Sequence, residues 1–127
     1  MTRPSRTTLA LGTAAAALVA AASLQAAAPA VKTLNASVGP DTGPRSPISL
    51  KRNGATVSSI AAGAYTVKVN DKTNAHNFYL YGPGVTVRTG VEFRGRRTFS
   101  VTFKKGKTYR FICTVDPLTM KGSFRAT

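Results

Sequence analysis

Tyr109-Arg-Phe-Ile-Cys-Thr-Val-Asp-Pro-Leu-Thr-Met-Lys-Gly-Ser-Phe124 is the stretch whose reading decides the fold. From Tyr109 to Ile112 large side chains alternate with a charge, the pattern of a strand with one buried face, and the strand runs straight into Cys113. Asp116-Pro117 then breaks the ladder, because proline has no N–H and restricts the residue before it. Gly122 to Ala126 reads as a returning strand. Cys113 and Met120 therefore stand at the two ends of a short loop between paired strands, close enough to share one small ion.

Upstream, the same two-residue period recurs. Thr33 to Gly39 is a first strand, followed by a Pro- and Gly-rich loop from Pro40 to Pro47. Ile48 to Lys51 and Ala55 to Ile60 flank Arg52-Asn53-Gly54, where Asn-Gly marks a tight hairpin. Tyr65, Val67 and Val69 alternate with Thr66, Lys68 and Asn70, and Phe99, Val101 and Phe103 alternate with Ser100 and Thr102. Phe78 to Tyr81 and Val85 to Arg88 are short strands around Gly82-Pro83-Gly84. Many short strands with frequent turn signals, and no helical pattern after residue 31, predict an all-β Greek-key β-sandwich of seven or eight strands.

At the other end of the chain, Arg3 and Arg6 precede an uncharged run from Leu9 to Ala22, and Ala28-Pro29-Ala30 offers an A-x-A cleavage site. Residues 1–30 read as a secretory signal peptide, too short in its apolar part for a membrane span. Cleavage leaves residues 31–127 as one domain in a secreted protein, extracellular, periplasmic or at the cell envelope. Without Arg3 and Arg6, 16 Lys and Arg face four acids, a net charge of +12. A lone cysteine in such a chain is buried, paired with another chain, or a metal ligand.

Cys, Met and His are the soft or borderline ligands a protein offers copper, and after Met1 each occurs once, as Cys113, Met120 and His76. In their order and spacing, with His76-Asn77 upstream of Cys113 and Met120, the chain resembles the cupredoxin, or blue copper, family of plastocyanin, amicyanin and azurin. In that family the loop after Cys also carries a second His. Asp116 occupies that position here. The resemblance implies a cupredoxin-like fold and a copper site with His76, Cys113 and Met120 as ligands. It further implies that Asn77 ties its loop to Thr114, the residue after the cysteine. As an alternative, Asn77 is a turn residue serving only its own loop.

Asp116 admits three readings. It is a fourth ligand of a harder site for Cu(II) or zinc, or it stands aside from a three-coordinate site favouring Cu(I) over Cu(II), or it is a turn residue before Pro117 in a site that holds no metal. Electron transfer is the function the resemblance implies. The alternative is a metal-free fold serving as a basic binding or structural module at the cell envelope.

Arg88, Arg94, Arg96, Arg97, Lys104, Lys105, Lys107 and Arg110 crowd the region before the cysteine. Charge of one sign at this density points to an acidic redox protein or an anionic envelope surface as partner, set against a solvated edge that discourages aggregation. The aromatics follow core alternation, not a stacking platform, which argues against nucleic acid. No G-x-S-x-G, H-E-x-x-H or phosphate-cradling motif is present, and a Cys113–His76 nucleophile pair is the one enzyme alternative. The expectation is a monomeric, non-enzymatic protein with no transmembrane span in its mature chain.

Overall fold

A computed structural model describes residues 2, 4, 5, 10, 12–23 and 30–127. Arg3, Arg6, Leu9 and the Ala28-Pro29 part of the expected cleavage motif lie outside the described residues. The described residues up to Val31 form no helix or strand, and no described helix is long and apolar enough to cross a membrane.

From Lys32 onward the chain is all-β. Its strands are β1 (Lys32–Val38), β2 (Ile48–Arg52), β3 (Ala55–Thr56), β4 (Ser59–Ile60), β5 (Gly63–Asp71), β6 (Tyr79–Gly82), β7 (Val85–Arg88), β8 (Gly95–Phe103), β9 (Thr108–Ile112) and β10 (Lys121–Ala126). Two five-stranded sheets form a sandwich, in the orders β3-β2-β1-β5-β8 and β4-β10-β9-β6-β7. Both are mixed, because β1 runs parallel to β5 and β10 parallel to β4.

Ten strands stand where seven or eight are expected, and the segment from Ala55 to Ile60 supplies part of the difference. It is not one strand: β3 pairs with β2, and β4 pairs with β10 in the opposite sheet. Val57 N–H still bonds Leu50 O at 3.0 Å, while Ser58 O already accepts from Arg125 N–H at 3.1 Å. A local apolar pattern cannot distinguish one strand from a strand that changes sheets. The Asn53-Gly54 hairpin is present, with φ of 50° and 80° at the two residues, the left-handed pair a two-residue turn requires.

The inner faces follow the strand period. Leu34, Val67 and Val69 from one sheet meet Leu80, Phe111 and Phe124 from the other, all at most 4% exposed. Phe103 packs edge-on against Tyr109 and Phe124 at 4.6 and 5.1 Å between ring centroids. Each such side chain contributes about 1.5–3 kcal/mol of burial. The Tyr109 hydroxyl is also satisfied, donating to Pro83 O at 2.9 Å and accepting Lys104 N–H at 2.8 Å. Tyr79 and Tyr81 depart from the expected core alternation. They lie half-buried and stack on one another at 4.9 Å, since residues two apart on a strand share a face.

Register brings the chemistry to one end of the sandwich. Tyr79 and Lys121 both pair with Ile112, so the residues just before β6, just after β9 and just before β10 gather there. Gly122 lies opposite Phe111, whose ring fills the space a side chain would need. Gly122→Val is therefore expected to destabilise the fold by about 1–3 kcal/mol, read as a lower denaturant midpoint at unchanged slope. An unchanged midpoint would mean that Phe111 is free to move aside.

Candidate metal centre

Four loops converge at this end: 39–47 after β1, 72–78 after β5, 89–94 after β7 and 113–120 after β9. Cys113 extends the inward face of Tyr109 and Phe111 and is fully buried, as is Met120. Cys113 N–H donates to Met120 O at 3.0 Å, which closes the mouth of the loop between them. Inside that loop Asp116 O accepts Met120 N–H at 2.9 Å, forming a single tight turn ahead of β10. Thr119 Oγ1 donates to Pro44 O, joining this loop to the one after β1.

His76 is held by its neighbours on both ring nitrogens. Nε2 lies 3.1 Å from Asp41 Oδ1 and 3.1 Å from Ser46 Oγ. An ionised carboxylate only accepts, so in the tautomer with its hydrogen on Nε2 the ring donates to Asp41. Nδ1 then faces Asp116 Oδ2 at 3.2 Å and Cys113 Sγ at 3.6 Å. A neutral ring presents a lone pair there, toward a carboxylate and a thiol. The thiol can donate weakly to that lone pair, while the part-exposed Asp116 carboxylate is satisfied by solvent, by a proton on the ring or by a metal ion.

The donor set fits a metal. Among the described residues, His76, Cys113 and Asp116 are the one group of three such side chains whose ligand atoms lie within 4.8 Å of one another. Bonds of about 2.0–2.3 Å in a tetrahedral site place ligand atoms roughly 3.3–3.8 Å apart, close to the two spacings observed here. His76 and Cys113 are buried, while the Asp116 side chain keeps 23% exposure, so it is the solvent-side member. Asp41 lies behind the His76 ring, where a carboxylate orients an imidazole that binds a metal on its other nitrogen.

The floor of the site is a chain of hydrogen bonds. Asn77 Oδ1 accepts from Thr114 N–H at 2.8 Å and from Thr114 Oγ1 at 3.0 Å, while Asn77 Nδ2 donates to Thr89 O at 3.0 Å. Thr89 Oγ1 accepts Phe78 N–H and donates to Asp71 Oδ2 at 3.2 Å. Asp71 Oδ1 in turn accepts Thr73 N–H at 3.1 Å. Asn77 therefore ties the His76 loop to the Cys113 loop and does more than stabilise its own turn. Burial pushes the Asp71 carboxyl above its ordinary range, offset in part by the Thr73 and Thr89 donors.

Sequence reasoning misses Asp41 and Ser46 as partners of His76, and Asp71 and Thr89 as the floor. One local signal exists: Asp41 Oδ1 accepts Gly43 N–H at 2.9 Å, an Asx turn that Asp-x-Gly advertises. Nothing local says that this turn faces a histidine 35 positions away. No protein-family model matches the chain, and no curated protein matches it.

Two outcomes check this geometry. Asn77→Ala strands the Thr114 N–H and the Thr89 carbonyl, and is expected to cost about 2–4 kcal/mol in chemical unfolding; a loss of a few tenths would mean that water replaces it. The Asp41 carboxyl is held below its ordinary value of 3.8, first by Gly43 N–H and then by the bond from His76. A depressed folded pKa gives stability that is present above the unfolded value and lost as pH falls through the folded one. Apo Asp41→Asn should lack that acid-side loss, and parallel melting curves against pH for both proteins would contradict it.

Proposed function

We propose that this chain is a secreted, cupredoxin-like copper-binding protein of the plastocyanin type, with His76, Cys113 and Met120 as its soft ligand set and Asp116 in the place of the second histidine. The observation that carries the proposal is the arrangement of His76 Nδ1, Cys113 Sγ and the Asp116 carboxylate around one point, with Asp41 fixing the ring from behind. Copper, when bound, supplies a one-electron couple and a thiolate bond. The chain's own residues do the rest. Cys113 and Met120 are fully buried and shield the sulfur side from water, while Asp41 and Ser46 keep the Nε2 hydrogen in place so that Nδ1 is the free donor.

Asp116 points at Nδ1, which favours its role as a donor over that of a bystander in the turn. A carboxylate hardens the site and draws Cu(II), or zinc, into competition with Cu(I). It also changes the exit for an electron. Val115 and Leu118 beside it are 51% and 82% exposed, an apolar patch suited to brief docking of a redox protein.

An enzyme reading has two candidate nucleophiles beside His76, Ser46 and Cys113, and both are buried. Asp116, His76 and Ser46 do lie in line as an acid, a base and a hydroxyl. The Ser46 hydroxyl, however, is buried in a residue 3% exposed and lies 2.7 Å from Gly43 O. Cys113 has no exposure at all, which favours an inert or ligating thiol over a nucleophile.

Asp116→His restores a trigonal set of two imidazoles and a thiolate, and Cu(II) loading should then give intense blue absorption that the native protein lacks. A copper-loaded variant without colour would defeat the ligand assignment. Because ring and thiol must lose their protons to bind, copper affinity should fall as pH drops from mildly alkaline to mildly acidic. Competition titrations showing no such fall would exclude Cys113 as a ligand.

A further inference from the structure

The outer face of the β2-β1-β5-β8 sheet carries a groove of about 550 Å³, built from residues other than His76, Cys113 and Asp116. Register sets two rows across it. One reads Lys51, Asn35, Lys68, Thr98, and the next reads Ser49, Ser37, Asn70, Arg96. Lys51 and Lys68 are two strands apart, about 10 Å, with an amide between them. Lys72 adds a further charge to the lining.

No acid lines the groove. Asp41 and Asp116 face His76, Asp71 is buried, and Glu92 lies between β7 and β8. Among the described residues no Lys or Arg makes an ion pair; the two ion pairs both belong to His76. Like charges on adjoining strands repel, and a concave surface concentrates their field. That repulsion is unrelieved within the fold and is relieved by an anion seated in the groove.

We propose that this groove binds a linear acidic polysaccharide. Lysines and arginines separated by amides and hydroxyls complement a chain whose carboxylates or sulfates alternate with neutral hydroxyl groups. No aromatic side chain lines the groove, so the stacking that holds single-stranded nucleic acid has no platform. Its only apolar lining, Ala36 and Val69, is buried, which leaves nothing to insert into a bilayer.

The test measures binding of the intact protein to polygalacturonate and heparin, with neutral dextran as control. Both acidic chains should bind, dextran should not, and rising salt should weaken the complexes. Lys51→Gln/Lys68→Gln/Arg96→Gln should lose about ten-fold or more in affinity, since three exposed pairs are removed together. The charge-matched Lys104→Gln/Lys105→Gln/Lys107→Gln, at the β8–β9 turn, should change by less than about three-fold. All six positions are exposed, so both proteins keep the fold. Equal losses in the two variants would show a response to net charge alone and overturn the assignment. So would equal affinity for single-stranded DNA or for phosphatidylglycerol vesicles, or no binding to either acidic chain. Copper uptake is read separately and has no bearing on this outcome.

Discussion

His76 has a carboxylate at each ring nitrogen and, while neutral, satisfies only one of them. Asp41 and Asp116 lie at 3.1 and 3.2 Å from Nε2 and Nδ1 of His76, and a neutral ring has only one hydrogen to give. The carboxylate behind can be satisfied by that hydrogen. The one in front, beside the Cys113 sulfur, is left to solvent, to a proton on Nδ1 or to a metal ion. The loops after β1, β5 and β9 all contribute to this balance, and the bonds among Asn77, Thr114, Thr89 and Asp71 hold them in register beneath it.

The strand period made most of the architecture legible. Alternation in β5, β8 and β9 marks which residues face inward, and Asn53-Gly54 marks its own turn. The division of residues 55–60 between sheets was not legible, because pairing partners lie far along the chain and the local pattern is the same either way. His76 and Cys113 stood out because each is the one residue of its kind in the chain, and Asp116 because it stands where the family resemblance implies a second histidine. Asp41, Ser46 and Thr89 did not stand out, since they are common loop residues whose roles arise only from a fold that brings positions 41, 46, 76 and 89 to one end.

Charge is distributed in the same spirit. Three of the four acids are engaged at the His76 end, in the site or under it, and the lysines and arginines are left to the sheet faces and turns. The molecule thus has a buried cluster that could hold a metal ion at one end and a basic outer face on the β2-β1-β5-β8 sheet. The two are separable by substitution, because the groove on β2-β1-β5-β8 shares no residue with the site.

The measurement closest to the central claim is an anaerobic Cu(I) titration of the purified protein against a competing chelator, with Cys113→Ser as the control. One equivalent bound tightly by the native chain, and lost in the control, is the result predicted for a site built on the thiolate. Uptake that is absent, or that survives unchanged in Cys113→Ser, would contradict it.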